Sequence, residues 1–440
     1  MLISFSLSNF LSFKDKVTFS LLPNRSHLHP KHLIKTDALK VLKGTVFYGA
    51  NASGKTNFFE AVNIFASMIL QGIISPLLAP NQFKLGQYSN QSLFEIVFQQ
   101  NGTIYTYSVT MNPYEVISEK LTKLYKTTDT EELIFWRRGL DVTLGKSLIK
   151  KGDQTNWYQS RTFQKNMFFL TKLKFDGIIE NQQIIKGSQH IIDAYNFFEN
   201  IEVCKPQSIL KPDVIFKLFR LEEYRKYLLN MLKKADVGIT DIKWVNLGEN
   251  EAAILWQQLF SAPFHSINLP FYNNFSENNA VLYRSANAFY ALYVKDGKKI
   301  AQALKTFHGD DIAFGLDSES SGTIRIIDLS LAFYRLQDNG KVTFIDELDC
   351  SLHPMLTKFL IQEFFNANTE SQLIISLHDV NLLTSDIWRP DEVWFIEKQA
   401  NGVSDMYSLS QFRPRFDKKI SNDYCAGKYG AIPMLGKLRI

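Results

Sequence analysis

Gly44-Thr45-Val46-Phe47-Tyr48-Gly49-Ala50-Asn51-Ala52-Ser53-Gly54-Lys55-Thr56-Asn57 is the stretch on which the reading of the whole chain turns. An apolar strand runs into Gly-x-x-x-x-Gly-Lys-Thr, and a helical pattern follows through about Leu70. Strand, glycine loop and helix in that order are the context a P-loop requires. The glycines let backbone amides close around phosphate oxygens. Lys55 reaches the terminal phosphates as a mobile point charge, and the Thr56 hydroxyl can ligate Mg²⁺. Gly49, Ala50, Asn51, Ala52, Ser53, Gly54, Lys55, Thr56 and Asn57 are the expected phosphate cradle.

Three further segments fit around this loop. Lys341-Val342-Thr343-Phe344-Ile345-Asp346-Glu347 reads as a buried strand delivering two adjacent carboxylates at its C-terminal end, where open α/β sheets bind their ligands. Asp346 is expected to hold Mg²⁺, directly or through water, and Glu347 to polarise the water that attacks the γ-phosphate. Glu319-Ser320-Ser321-Gly322-Thr323 lies just ahead of a helix and upstream of Asp346. A Ser-Gly turn opening a helix offers hydroxyls, free amides and a positive dipole end, so Ser320, Ser321, Gly322 and Thr323 form a second phosphate-binding candidate. Gln372-Leu373-Ile374-Ile375-Ser376-Leu377-His378 is another apolar strand, ending in a histidine. No Asn-Lys-x-Asp run selects guanine, so ATP is the expected nucleotide.

Composition narrows the classes. The 440 residues allow two or three domains, and 45% hydrophobic residues exclude disorder as the main state. With 49 Lys+Arg against 44 Asp+Glu, the net charge of +5 is too weak for a dedicated nucleic-acid coat protein. Cys204, Cys350 and Cys425 are far apart and odd in number, which argues against a disulfide scaffold or zinc ribbon and for a reducing cytoplasm. The uncharged run from Ala61 to Phe83 contains Asn63, Gln71, Gly72, Pro76 and Asn81 and begins inside the P-loop helix, so it is expected to pack against a sheet rather than span a membrane. Met1-Leu2-Ile3-Ser4 shows no basic region before an apolar core, so no signal peptide is expected. His27, His29 and His32 are close in sequence, but a loop is the expected reading, with no Cys and only Asp37 nearby to make a metal site.

The fold class predicted is α/β: a P-loop head with an antiparallel β subdomain and a mostly helical insertion. Residues 1–124 supply the P-loop and antiparallel sheet, with strands at Leu2–Leu7, Val17–Leu22, Phe94–Phe98, Ile104–Met111 and Val116–Leu121. Residues 125–311 are the insertion, with helical patterns near Asn166–Leu173, Ile191–Ile201 and Phe216–Lys234. Residues 312–440 resume the α/β pattern. Between Glu115 and Asp176 there are 12 Lys/Arg against 8 Asp/Glu; a solvated face accounts for this excess, and a DNA contact stays open.

The four elements in this order, with a large insertion between the first and the third, resemble an ABC/SMC-type ATPase head of the RecF and OLD kind. Asn9-Phe10-Leu11-Ser12-Phe13, Glu319–Thr323, Asp346-Glu347-Leu348-Asp349-Cys350-Ser351-Leu352-His353-Pro354, Trp394-Phe395-Ile396-Glu397-Lys398 and Gly427-Lys428-Tyr429-Gly430-Ala431-Ile432-Pro433 tighten the resemblance. Together they are similar to AAA-type ATP-binding proteins of bacterial abortive infection, such as the RloA/AbiL-like ATPases and the ATPase subunit of PARIS. In such heads the Ser-Gly signature is offered to the ATP of a second subunit, and a histidine placed like His378 contacts the γ-phosphate and positions the attacking water. Two positions depart from relatives: Leu11 stands where a basic residue is common, and His353 where transporter cassettes carry an Asp. Gln82 is the candidate for the Q-loop glutamine.

The resemblance implies a cytoplasmic, slowly hydrolysing Mg-ATPase that acts as sensor and regulator in anti-phage defence. Its implied partners are a second copy of itself, in an ATP-dependent head-to-head dimer or higher homo-oligomer, and a separately encoded effector, possibly a Toprim-type nuclease. No membrane partner is expected. An OLD-like nuclease within this chain is not expected either, since 62 residues follow His378. The alternatives are a RecF-like repair ATPase that clamps DNA and an ATP-binding scaffold that sequesters a toxin. A transporter cassette and an SMC-like tether fit less well, lacking a membrane segment, a long coiled coil and a zinc hook.

Overall fold

A computed structural model describes residues 1–36, 39–74, 81–85, 90–124, 130–148, 164–177, 179–180, 183–184, 188–206, 212–261, 280–285, 288–309, 312–414 and 419–433. Parts of two sequence readings lie outside these residues: 75–80 of the uncharged run, and 125–129 and 149–163 of the basic stretch. The chain divides into two units, Met1–Pro206 with Leu336–Asp349 and Thr357–Ile440, and Gln207–Arg335 with Cys350–Leu356.

In the first unit the strand Gly44–Tyr48 is buried along its whole length, as expected of a central strand covered on both faces. It is the fourth strand of a six-stranded sheet ordered Ile201–Cys204, Val342–Ile345, Gln372–Ser376, Gly44–Tyr48, Val393–Lys398 and Ser404–Ser408. The first five strands run parallel and the last antiparallel. Parallel order brings the C-terminal ends of the Gly44, Val342 and Gln372 strands to one edge, which is where Lys55, Glu347 and His378 follow.

A second, antiparallel sheet has seven strands, ordered Asp141–Leu144, Glu131–Arg138, Val116–Leu124, Thr103–Met111, Ser92–Gln100, Leu2–Ser8 and Val17–Ser20. The helix Lys55–Gln71 carries rings that meet both sheets. Phe58 lies 5.8 Å from Phe5 and 5.6 Å from Phe19 of the seven-stranded sheet, and 5.1 Å from Phe47 of the other. One turn pair further on, Phe65 stacks on Phe94 at 5.1 Å. Each such ring contributes about 1.5–3 kcal/mol by burial, and the pairs roughly 0.5–1.5 kcal/mol more. Gly72 ends the helix at φ 78, its N–H on the carbonyls of Met68 and Ile69, so this run is a sheet-packed helix with a glycine stop.

The sheet does not stop at residue 124, and the head does not pause until Pro206. Glu131–Arg138 and Asp141–Leu144 continue the antiparallel sheet, and Ile201–Cys204 joins the parallel sheet beside Val342–Ile345. Glu-Glu-Leu-Ile-Phe-Trp-Arg-Arg alternates weakly, so its strand register is set by its neighbour more than by its own pattern. A buried ion pair ties this edge down. Glu119 accepts hydrogen bonds from Tyr107 Oη (2.8 Å) and from the N–H groups of Phe169 (2.7 Å) and Leu170 (2.8 Å), capping a short helix, while Arg137 donates to the carbonyls of Gly139, Lys165 and Met167.

The second unit corrects the expectation of a mostly helical insertion. Alongside helices Pro212–Arg220, Glu222–Lys234 and Glu249–Ser261 it holds a five-stranded antiparallel sheet, Ile239–Asn246, Lys298–His308, Ala288–Lys295 and Val281–Ser285, with Ile312–Gly315 also paired to Lys298–His308. The local signal was Asp296-Gly297. Both residues have positive φ (51 and 75), and Lys295 pairs with Lys298 across them, a two-residue hairpin turn. The helix Ser321–Arg335 belongs to this unit and packs on Glu222–Lys234, where Tyr224 and Ser330 share a 2.6 Å hydrogen bond. Among the described residues, no helix is long and apolar enough to cross a membrane.

Candidate functional site

The loop between Tyr48 and Lys55 is held by two glycines that leave no room for a side chain. A Cβ on Gly49 would stand 2.3 Å from Ile396 O, and Gly54 has φ +119 with Ser404 Oγ and Ser12 Oγ within 2.8 Å of where its Cβ would be. Ala52 also lies in the left-handed region at φ 62, so successive amides turn inward as an anion nest. Ser53 Oγ is buried with no hydrogen-bond partner among the described residues. This is a cradle that a side chain would fill and that an anion would complete.

Lys55 opens the helix and is 5% exposed, its Nζ donating to Gly49 O (2.7 Å) and Ala50 O (3.2 Å). Burial holds its ammonium below the ordinary lysine range, and the carboxylates of Asp346, Glu347 and Asp349 draw it partly back.

The carboxylate strand ends as the sequence foretells, with one detail it does not give. Ser376, the last residue of the neighbouring strand, donates through Oγ to Asp346 Oδ1 (2.5 Å) and accepts from the Glu347 N–H (2.7 Å). Glu347 has φ 48, a left-handed conformation in which a non-glycine residue is strained, and the Ser376 bond helps to fix it there. His378 Nε2 lies 3.3 Å from Glu347 Oε1, while Asp349 Oδ2 accepts from the N–H groups of His378 and Asp379, both at 2.7 Å. Tyr48 donates to Asp379 O, and burial first, then Asp349 and Asp379, pushes its phenol well above its usual range.

Asn51, Ala52, Ser53, Gly54, Lys55, Thr56 and Asn57 meet Glu347, His378 and Lys398 around a cavity of about 650 Å³. Asp346 stands behind this wall, 1% exposed. The oxygen set of Thr56 and Asp346 is that of a hard divalent cation, so these residues fit Mg²⁺. Ser12 and Lys398 lie in segments that carry the family resemblance but have no role assigned from sequence, and Ser404 lies in none of those segments. Asn57 Nδ2 donates to Ser12 Oγ (2.8 Å), Ser404 N–H to Ser12 O (2.7 Å), and Ser404 Oγ to Ser53 O (2.5 Å), so two strand-connecting serines brace the loop. No local pattern gives Ser12 or Ser404 this role; only the fold brings residues 12, 57 and 404 together.

Ser320, Ser321, Gly322 and Thr323 lie in the second unit. Ser320 caps the helix Ser321–Arg335, its Oγ accepting from Thr323 N–H at 3.1 Å, with Ser320 and Ser321 exposed. Glu319 is gripped by the insertion's sheet: Thr306 Oγ1 donates to it at 2.5 Å, and His308 Nε2 lies 2.8 Å away. Gln82, the Q-loop candidate, donates to Asn90 O (2.6 Å) and does not line the cavity, and neither does Leu11. His353 Nδ1 accepts from Met355 N–H (3.2 Å) at the start of the helix Pro354–Asn366.

Of the three early histidines, two are engaged by groups elsewhere in the chain, and Asp37 lies outside the described residues. His29 bonds Ser385 O (2.7 Å) and His32 bonds Glu392 (2.9 Å), and among the described residues no group of three His, Cys, Asp or Glu side chains could hold a metal.

The family described as "AAA domain, putative AbiEii toxin, Type IV TA system" matches residues 45–141 and 213–384. No curated protein matches the sequence. Among solved structures, the chain is similar to an Smc head bound to the C-terminal winged-helix domain of ScpA (11% identity, 94% of this chain and 99% of that one, TM-score 0.41). It is also similar to the SMC head domain from Thermotoga maritima (12% identity, 92% and 98%, TM-score 0.37).

Proposed function

Since this chain belongs to that AAA-domain family, we propose that it is an ATP-hydrolysing sensor and regulator of a bacterial abortive-infection defence system, acting with a separately encoded effector. The observation that carries the enzymatic part is the cavity itself, which the P-loop, Glu347 and His378 line together. The backbone amides of 51–56 bind the phosphate chain and Lys55 neutralises its terminal charge. Thr56 and Asp346 would hold Mg²⁺, which supplies further neutralisation of the phosphate oxygens when bound. Glu347 takes a proton from the attacking water, and His378, within reach of that carboxylate, orients it.

In this proposal two copies meet so that Ser321 and Gly322 of one, at the start of a helix, close on the nucleotide held by Lys55 of the other. Dimerisation then follows ATP binding and is released by hydrolysis. The effector, a protein of nuclease type in our reading, responds to that cycle.

The test is a pull-down of tagged Glu347→Gln protein with Mg-ATP from its native host after nuclease treatment, with Lys55→Ala as control. A stoichiometric protein held only by the ATP-competent form is the expected result. DNA fragments protected in its place would overturn the effector reading in favour of a DNA clamp.

A further inference from the structure

Lys398 is a charged residue of the cavity lining that the hydrolytic scheme leaves without a task. It is exposed, and no ion-pair partner for its ammonium occurs among the described residues. Its place in the sheet is informative. The strand Val393–Lys398 lies beside the P-loop strand on one side, while the strands leading to His378 and Glu347 lie on the other. The cradle is therefore flanked by the water-activating carboxylate on one side and by an unneutralised cation on the other.

The end of this strand is locked. Glu397 accepts from Tyr407 Oη (3.0 Å) through one oxygen and from Ala431 N–H (3.0 Å) through the other. Tyr407 Oη lies 2.8 Å from Tyr429 O, and Phe395 stacks on Tyr424 at 5.2 Å and on Tyr429 at 5.9 Å. Gly430, at φ +69, passes so close that a Cβ there would stand 2.5 Å from Tyr407 Oη and 2.9 Å from Glu397 Oε2. The turn Gly427–Ala431 thus acts as a clip on Glu397. Across the ladder Lys398 pairs with Ser404, the same serine that bonds Ser53 O in the loop. Clip, strand end and loop form one braced unit.

We infer that Lys398 is a nucleotide-binding lysine that grips the phosphate chain from the flank opposite Glu347, and that the C-terminal turn Gly427–Ala431 is the device that positions it. This rests on the nucleotide-site reading above and deepens it. Because its strand lies across the P-loop strand from those that lead to Glu347 and His378, Lys398 acts in holding ATP and ADP alike and not in the cleavage step. One charge-assisted contact of this kind makes roughly a tenfold difference in affinity.

The experiment measures Mg-ADP and Mg-ATP affinity and the single-turnover hydrolysis rate at saturation, for the parent chain, Lys398→Gln, Lys398→Arg, Gly430→Ala and Lys55→Ala. Lys398→Gln should weaken both nucleotides about tenfold, leave the saturated rate within about twofold, and flatten the salt dependence of binding; Lys398→Arg should recover most of the affinity. Gly430→Ala, with Lys398 intact, should reproduce the affinity loss. Parent-like affinity in Lys398→Gln would mean a merely solvated lysine and overturn the inference. So would a fall in the saturated rate at unchanged affinity, which would make it part of the cleavage machinery. Lys55→Ala separates the two levels: if it binds nucleotide like the parent, the site reading itself fails and the assignment of Lys398 falls with it, whereas weakened binding in Lys55→Ala beside parent-like binding in Lys398→Gln overturns the assignment alone.

Discussion

Gly49→Ala is a small change with a large expected effect, and the size follows from distances. The new Cβ would lie 2.3 Å from Ile396 O and 2.7 Å from Ser53 Oγ, whereas ordinary contact begins at 3.4 Å. Ser53 can rotate away. The Ile396 carbonyl cannot, because its strand is paired with the P-loop strand, Phe395 opposite Tyr48. Loop and strand must part by roughly 1 Å. Overpacking of this kind costs about 1–3 kcal/mol. At about 2–4 °C per kcal/mol for a unit of this size, the melting temperature falls by roughly 2–12 °C. A displacement of ~1 Å in a positioning loop also costs on the order of a hundredfold in turnover. The assay is thermal unfolding with and without Mg-ADP, followed by ATP turnover, with Gly248→Ala as control because nothing lies within 4 Å of a Cβ there. If Gly49→Ala unfolds and turns over like Gly248→Ala, the packing argument for the loop is wrong.

Other expectations follow from the same structure. Arg137→Met leaves Glu119 buried without its cation and should destabilise by about 3–5 kcal/mol, read by denaturant unfolding, with Glu119→Gln in the same background recovering part of the loss. Ser404→Ala removes the bond to Ser53 O and should cost about 1 kcal/mol together with weaker nucleotide binding, measured by calorimetry. Lys43 gives a pH signature. Burial lowers its ammonium from 10.5 to about 8, so between these values the unfolded chain holds a proton the folded chain has released. Stability therefore rises with pH across that window, and the difference between the parent and Lys43→Met should move in the parent's favour from pH 8 to 10.5; a flat difference refutes it.

Much of the candidate site is legible in the sequence because its parts are local. Gly49–Thr56 and Lys341–Glu347 each carry their chemistry within one strand and the turn after it, and the apolar runs that place them are long enough to identify. The harder parts depend on partners far apart in the chain. Ser12 and Ser404 brace the P-loop from residues separated by nearly the whole length, and Lys398 gains meaning only when its strand is seen beside Gly44–Tyr48. The sequence favours a mostly helical insertion because amphipathic helices such as Glu222–Lys234 announce themselves, while Lys298–His308 mixes lysines into its alternation. The Asp296-Gly297 turn was the missed clue.

The most direct test of the central claim is the mass in solution of Glu347→Gln protein by light scattering, with Mg-ATP, with Mg-ADP, and with Lys55→Ala added as a second substitution. The account predicts a dimer or larger assembly with Mg-ATP alone, absent with Mg-ADP and abolished by Lys55→Ala. A single mass under all three conditions, with ATP shown to be bound, would contradict the nucleotide sandwich and the regulatory cycle built on it.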